Sequence, residues 1–128
     1  MIEAGKAFYW ATSNWDAEAV LNAFAICERL NLHKPIGAQN EYNMLTRKEN
    51  EVEYLGLFKN YKYGLVGWSP LAGGFLTGKY FEGLTEDQVH RFNDKHSPFP
   101  VDFMKELYYD ANASEKNLRN LKELKDLA

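Results

Sequence analysis

Several features are scarce in this sequence of 128 residues, and each scarcity excludes a class of protein. Cys27 is the single cysteine, so no internal disulfide can form, and the sequence indicates a reducing, cytoplasmic setting. The three histidines, His33, His90 and His96, have no second ligand at metal spacing, which predicts that the chain holds no metal. No signal peptide or membrane-spanning apolar run is recognisable. A net charge of −3 gives no attraction to nucleic acid or anionic lipid.

Three short apolar segments, each followed by small polar residues, stand out against this background. They are residues 6–11, 35–38 and 63–68, and helix-length stretches separate them. That spacing is typical of parallel strands joined by crossover helices. Polar side chains at the carboxyl ends of such strands form the ligand sites of α/β sheets and barrels. The sequence therefore predicts an α/β fold with three parallel strands, adjacent and in chain order, and a binding face at their ends.

The remaining stretches carry helical patterns. Helices are predicted over residues 16–31, 48–61, 101–109 and 113–128, with Asn14 or Asp16 capping the first and Ser114 the last. Residues 81–100 are polar and rich in turn formers, as expected of a surface loop or lid. The expected core faces are Val20, Ala23, Phe24, Cys27 and Leu30; then Val52, Leu55 and Phe58; and finally Leu118, Leu121, Leu124 and Leu127.

Three strands with their helices leave two sheet edges open. A closed (β/α)8 barrel takes about eight strands and roughly 250 residues. Residues 1–128 are therefore expected to be an incomplete TIM barrel, packed against other chains or against the rest of the barrel. Gly37 and Gly67 are unusual within strands and predict a close approach of backbone or ligand.

The first two strand ends carry amide and hydroxyl groups. Asn14 and Gln39 can donate and accept hydrogen bonds at once, and Ser13 adds a hydroxyl. Each of these residues, taken singly, is more often a cap or a turn residue. Together on adjacent strand ends they suit recognition of an amide in a ligand, such as that of nicotinamide.

The third strand end is rich in small residues. Residues 68–79 combine a tryptophan face, four glycine or alanine positions and Lys79, which suits an anion held close to the backbone. Residues 73–79 also match the first part of a phosphate-binding loop of nucleotide triphosphatases. Tyr80 stands where that pattern needs a serine or threonine for magnesium, and Pro70 interrupts the strand–loop–helix context. A triphosphatase is therefore the weaker interpretation.

These three motifs carry a specific resemblance. Residues 9–15, 39–44 and 67–80 resemble the fifth, sixth and seventh strand ends of the aldo-keto reductases, in particular the branch of the voltage-gated potassium channel β-subunits. The similarity extends over nearly the whole chain. Two departures are Ala11, where the family usually has glycine, and Asn14, where the animal channel subunits have arginine.

The resemblance implies a TIM barrel that binds NADPH in an extended pose. It implies that Ser13, Asn14 and Gln39 hold the nicotinamide carboxamide and that Trp68 stacks on the nicotinamide ring. Arg91 is expected to clasp the cofactor from outside. The residues expected to line the pyrophosphate are Ser69, Pro70, Leu71, Ala72, Gly74 and Lys79.

The family's catalytic aspartate, tyrosine, lysine and histidine lie on its first four strand ends, and none of them corresponds to a residue of this sequence. The implied function is a segment of an NADPH-dependent reductase of small carbonyl compounds. The alternative is an inactive, reductase-like subunit with a structural or regulatory role in a larger assembly, including a channel. An upstream reading frame that encodes the four catalytic residues favours the first interpretation, and a genuine start at Met1 favours the second.

We expect the 128 residues, purified alone, to show no reductase activity. A positioned proton donor typically contributes about 10²- to 10⁴-fold to a proton transfer, and no tyrosine here matches the family's donor. The measurement is NADPH oxidation in the presence of an aromatic aldehyde, with an intact aldo-keto reductase as the positive control. Turnover by the 128 residues would show that the chemistry resides within them.

Overall fold

The computed structural model describes residues 1–81, 83, 84, 92 and 100–127. It divides into two compact units, Met1–Trp68 and Ser69–Ala128. No helix in these described ranges is long and apolar enough to span a membrane. Most of the loop predicted over residues 81–100 lies outside the described residues.

The first unit alternates helices and strands. Asp16 caps its first helix, since the Asp16 carboxylate accepts a hydrogen bond of 2.7 Å from the backbone N–H of Ala19. Proline at position 35 then opens the extended segment, as its restriction of the preceding residue predicts. The elements are α1 (Ala17–Arg29), β1 (Gly37–Glu41), a π-helical turn (Glu49–Glu53), α2 (Leu55–Tyr61) and β2 (Gly64–Trp68).

The two strands form a parallel sheet. Gly37 pairs with Gly64, and the register continues to Glu41 beside Trp68. Because aligned residues of a parallel pair point to the same face and faces alternate along a strand, Gln39 and Trp68 share one face of the sheet. Ala38 belongs to the opposite face, which packs on the helices.

The first of the three predicted strands is not confirmed. Residues 6–11 form no strand, and Thr12 alone makes a parallel bridge to Ala38. Three backbone hydrogen bonds of 2.8–3.0 Å still join this stretch to the β1 segment, the shortest from Gln39 N–H to the Thr12 carbonyl. Since Ala38 pairs with Thr12 on one side and with Leu65 on the other, the direction and order of pairing are those predicted. Phe8 is 88% exposed, so little packing holds this edge in extended form.

The core of the first unit lies between the helices and one face of the sheet. Val20, Phe24 and Cys27 of α1 are buried as predicted, whereas Leu30, at the end of the helix, is exposed. The Phe24 and Tyr63 rings meet edge to face with centroids 5.5 Å apart. The cluster of buried residues is Val20, Phe24, Ala38, Tyr54, Leu57 and Tyr63.

The apolar face predicted for the second helix is largely wrong, since only Phe58 of its three residues packs against the core. Residues 49–61 are helical, but Val52 is 62% and Leu55 42% exposed, while Tyr54 and Leu57 are buried. The π-helical turn explains the difference: the Tyr54 N–H donates to the Glu49 carbonyl at 2.9 Å, five residues back. That wider turn rotates the following residues away from the face that a regular α-helical spacing predicts.

The second unit is mostly helical. Ser114 caps α4, since its Oγ accepts a hydrogen bond of 3.2 Å from the N–H of Asn117. The predicted core face of α4 is only partly right: Leu121 is buried, Leu118 is half-buried, and Leu124 and Leu127 are exposed. The elements are a stretch of 3₁₀ turns (Ala72–Thr77), α3 (Val101–Met104) continued by a π-helical segment (Lys105–Asp110), and α4 (Glu115–Leu127).

We expect Leu57→Ala to lower the free energy of unfolding by about 2–5 kcal/mol, the usual cost of deleting a buried leucine side chain. Leu55→Ala, on the same helix, is the matched control and is expected to cost less than about 1 kcal/mol because its side chain lies at the surface. Urea unfolding followed by circular dichroism measures both. A larger cost at Leu55 would contradict the packing of α2 described here.

Candidate functional site

The turn after the Thr12 bridge is tied to β1. The Ser13 hydroxyl donates to the Gln39 carbonyl at 3.0 Å. Asn14 follows with φ 52°, in the left-handed region that asparagine tolerates better than most residues with a Cβ. Its backbone N–H donates to Asn40 Oδ1 at 2.9 Å, so the unusual conformation is held by a side chain of β1.

The Asn14 carboxamide joins the ends of both strands. Its Oδ1 accepts from the Glu41 N–H at 3.2 Å and from Trp68 Nε1 at 3.1 Å. One amide oxygen therefore links the backbone at the end of β1 to the Trp68 side chain at the end of β2, and it holds the indole by its single polar atom. No acceptor lies within hydrogen-bonding distance of Asn14 Nδ2 among the described residues.

Four of the residues predicted from the sequence are brought together here. Ser13 and Asn14 lie beside the end of β1, and Gln39 and Trp68 share the sheet face that the helices leave open. Gln39 is exposed and Trp68 half-buried. This arrangement presents amide donors and acceptors next to a flat aromatic ring, a combination suited to a planar ligand that carries an amide.

Two buried asparagines beneath this face were missed by the sequence analysis. Asn40 is 0% exposed and Asn50 3%, and Asn40 Nδ2 donates to Asn50 Oδ1 at 3.2 Å. Asn50 Nδ2 donates to the Glu41 carbonyl at 2.8 Å. The signal was present in the sequence, because strand alternation places Asn40 on the face opposite Gln39, where a polar side chain needs a partner.

A second buried polar pair lies deeper in the first unit. The hydroxyls of Thr12 and Tyr63 are 2.8 Å apart. Burial raises the pKa of Tyr63, and the hydrogen bond with Thr12 partly offsets that rise. Burial likewise raises the pKa of Tyr54, whose hydroxyl donates to the Trp15 carbonyl. Both phenols stay neutral at ordinary pH, and the Tyr54 hydroxyl acts as a structural donor.

The predicted anion-binding segment lies in the second unit. Ser69 adopts φ 51°, and its hydroxyl is 2.7 Å from that of Tyr108. The N–H of Ala72 donates to the Ser69 carbonyl at 2.9 Å, which closes a tight turn. The other predicted residues of the segment are Pro70 and Leu71, which are exposed, half-buried Gly74, and Lys79, which is exposed.

Two glycines are required by the shape of this segment. Gly73 has φ 65°, and a Cβ there would lie 2.6 Å from Tyr108 Cγ. Gly74 has φ 97°, and a Cβ there would lie 2.9 Å from Lys79 Cε. Lys79 thus folds back over Gly74, with its ammonium 4.9 Å from the centroid of the Tyr80 ring. The segment therefore places the Lys79 ammonium group beside the Gly74 backbone, which carries no side chain of its own.

The geometry of this segment does not support the phosphate-binding loop of a triphosphatase. That loop leads directly from a strand into a helix that begins at its lysine. Here Ala72–Thr77 forms 3₁₀ turns, and Lys79, Tyr80 and Phe81 continue as turns. The hydroxyl of Thr77 donates to the Gly74 carbonyl at 2.7 Å, so it is engaged within the segment itself.

Two further predictions concern other parts of the chain. Arg91, predicted to clasp a cofactor, lies outside the described residues. Among the residues that are described, no three histidine, cysteine, aspartate or glutamate side chains lie close enough together to hold a metal ion.

A separate apolar cavity occurs in the first unit and contains none of the predicted site residues. Its rim carries an exposed pair, His33 Nε2 and Glu3 Oε1, 2.7 Å apart. Its lining is Met1, Ile2, Glu3, Ala7, Tyr9, Trp10, Cys27, Leu32 and His33.

Comparison with known proteins identifies close relatives. Two proteins named "Probable voltage-gated potassium channel subunit beta" are similar to this chain: one from Oryza sativa subsp. japonica, 48% identical, and one from Arabidopsis thaliana, 49% identical, each over 83 residues. A "Putative voltage-gated potassium channel subunit beta" from Schizosaccharomyces pombe is 46% identical over 86 residues. These matches cover 65–67% of this chain and 25% of each relative, so the matched region spans about a quarter of their length.

The profile of the Aldo/keto reductase family matches residues 1–128, the whole of the sequence. It agrees with the parallel α/β unit and with the polar strand ends that the structure brings together. The chain belongs to the aldo/keto reductase family.

Proposed function

We propose that this chain supplies the nicotinamide side of an NADP(H) site in an aldo-keto reductase barrel. The observation that carries the proposal is the hydrogen bond of 3.1 Å from Trp68 Nε1 to Asn14 Oδ1. It joins a flat ring to an amide at the carboxyl ends of two parallel strands, where α/β proteins bind ligands. Gln39 lies on the same open face.

The donor and acceptor chemistry of these residues fits a nicotinamide carboxamide. Asn14 Oδ1 is occupied by Glu41 N–H and Trp68 Nε1, which leaves the Asn14 amide N–H groups for a ligand carbonyl. The exposed Gln39 carboxamide can accept from a ligand amide and also donate to it. Ser13 holds the Gln39 backbone in place through its bond to the Gln39 carbonyl.

Trp68 is proposed to stack on the nicotinamide ring. Its indole is held through Nε1, so its orientation is set before a ligand arrives. Preorganisation of this kind strengthens binding because less conformational freedom is lost on association. The bound cofactor would supply the hydride for reduction of a carbonyl substrate. We assign cofactor binding, and no proton transfer, to the residues of this chain.

For the second unit, taken by itself, we propose that the segment from Ser69 to Lys79 binds a pyrophosphate. The close packing of Lys79 Cε against Gly74 places a cation beside exposed backbone. Ser69, Pro70, Leu71 and Ala72 form the preceding turn, and Arg91 is part of the same proposal. Backbone N–H groups and a nearby lysine are the usual ligands of a diphosphate.

A second candidate is favoured by the names of the relatives, which are those of channel subunits. In that case the chain would be a cofactor-binding structural or regulatory subunit of a larger cytoplasmic assembly. Single-turnover oxidation of NADPH by an aromatic aldehyde, measured in the complex that the chain forms in cells, separates the two. An enzyme oxidises the nucleotide, and a purely structural subunit leaves it reduced.

We expect nicotinamide mononucleotide to shift the NMR signals of the Gln39 side-chain amide and the Trp68 indole when it is titrated into the ¹⁵N-labelled chain, assembled with the protein partners that complete its fold. The affinity is expected to be in the millimolar range, since the ligand is small and makes few contacts. Gln39→Ala is expected to weaken binding about fivefold, the equivalent of one hydrogen bond of about 1 kcal/mol.

Asn22→Ala, an exposed change on α1, is the control variant and is expected to leave the affinity unchanged. Adenosine 2′,5′-bisphosphate, which lacks nicotinamide, is the control ligand and is expected to leave the Gln39 and Trp68 signals in place. The proposal fails if nicotinamide mononucleotide shifts no signal of Ser13, Asn14, Gln39 or Trp68 at tens of millimolar.

A further inference from the structure

The first unit buries two asparagine side chains directly beneath the proposed nicotinamide site. Asn40 is fully buried and Asn50 is 3% exposed. A buried carboxamide without hydrogen-bond partners is destabilising, and an apolar residue would fill the same volume without that cost. Two such residues in contact therefore indicate a specific requirement for their hydrogen bonds.

The hydrogen bonds of this pair have a single consistent direction. The Glu41 carbonyl can only accept, so it fixes the Asn50 amide with Nδ2 toward Glu41, at 2.8 Å. Asn50 Oδ1 then faces Asn40, which must present Nδ2, at 3.2 Å. Asn40 Oδ1 is consequently left to accept from the backbone N–H of Asn14, at 2.9 Å. Reversal of either amide would oppose two donors or two acceptors.

The end of this chain of hydrogen bonds is the left-handed residue Asn14. A left-handed conformation is unfavourable for a residue with a Cβ, and it persists where the surroundings hold it. The bond to Asn40 Oδ1 is one such constraint, and the bonds from Glu41 N–H and Trp68 Nε1 to the Asn14 side chain depend on the same conformation.

We propose that Asn40 and Asn50 are positioning residues, which hold Asn14 in its left-handed conformation and thereby set the orientation of the Trp68 indole. The inference deepens the proposed function, on which its ligand rests. Neither asparagine contacts the ligand. Loss of the Asn40 amide releases Asn14 toward ordinary backbone conformations, which withdraws its Oδ1 from Trp68 Nε1.

The test uses the Trp68 indole N–H signal in the NMR spectrum of the ¹⁵N-labelled chain without ligand, assembled with the protein partners that complete its fold. Asn14→Ala removes the acceptor, so it defines the signal position for an indole without this bond. Asn40→Ala is expected to move the signal at least halfway from the wild-type position to that reference. Asn50→Ala is expected to move it in the same direction by a smaller amount, because Asn40 keeps its oxygen but loses the partner that orients it.

Tyr63→Phe is the matched control. It removes a buried hydroxyl and its 2.8 Å bond to Thr12 in the same core without touching the asparagine pair. Its indole signal is expected to stay at the wild-type position even if the variant is equally destabilised. If Asn40→Ala does not fold, the Trp68 indole signal of Asn50→Ala becomes the test. An indole signal that stays at the wild-type position in a folded Asn50→Ala chain overturns the proposal.

Titration of the same variants with nicotinamide mononucleotide separates this inference from the proposed function. Asn40→Ala is expected to weaken binding about fivefold or more, and Tyr63→Phe to leave the affinity within about twofold. If the wild-type chain binds no nucleotide and the indole signal still moves in Asn40→Ala, the proposed function fails and the positioning role stands. If the nucleotide binds and the signal stays in place in Asn40→Ala, the positioning role fails alone.

Discussion

The parallel pairing of β1 with β2 fixes the geometry on which the first unit depends. Gly37 lies opposite Gly64 in the register, and a Cβ at Gly37 would lie only 2.9 Å from the Gly64 carbonyl oxygen. The absence of a side chain therefore lets the two strands begin in close contact. From that start the register carries Glu41 to Trp68, so the two strand ends are level with each other.

The same register separates two kinds of polar residue. Gln39 and Trp68 lie on the open face, and Asn40 lies on the face that the helices cover. A shift of one residue would exchange these faces and bury Gln39 in place of Asn40. The hydrogen bonds of Asn40 with Asn50 and Asn14 therefore add specificity to the pairing, beyond the backbone ladder itself.

In the second unit, left-handed backbone and the packing of one tyrosine accompany the shape of the segment that begins at Ser69. Ser69 and Ala72 adopt left-handed φ values of 51° and 47°, which are unfavourable for residues with side chains. Packing of Tyr108 against Gly73 and the contact between the Ser69 and Tyr108 hydroxyls accompany this conformation. Strain of this kind often occurs where backbone must be presented to a ligand. It agrees with the anion-binding role proposed for the segment.

The sequence by itself determined the class of fold and the family, and it placed Trp68 at the end of its strand, whereas the strand predicted to end before Gln39 continues to Glu41. Its motifs were sufficient because strand–helix spacing and polar strand ends depend on local order along the chain. The helix caps Asp16 and Ser114 were predictable for the same reason. A close backbone approach was predicted at both Gly37 and Gly67. It occurs at Gly37, whereas a Cβ at Gly67 would lie 3.5 Å from Tyr42, an ordinary contact distance.

Tertiary structure alone decided which residues are buried and which bonds hold the site. The face of α2 followed from a π-helical turn, which regular 3.6-residue spacing does not describe. The exposed ends of α1 and α4 depend on what packs against them, and so does the single bridge at Thr12 in place of a strand. The bonds of Asn14 with Asn40 and Trp68 join residues 26 and 54 positions apart, and only the folded chain brings such distant groups within hydrogen-bonding distance.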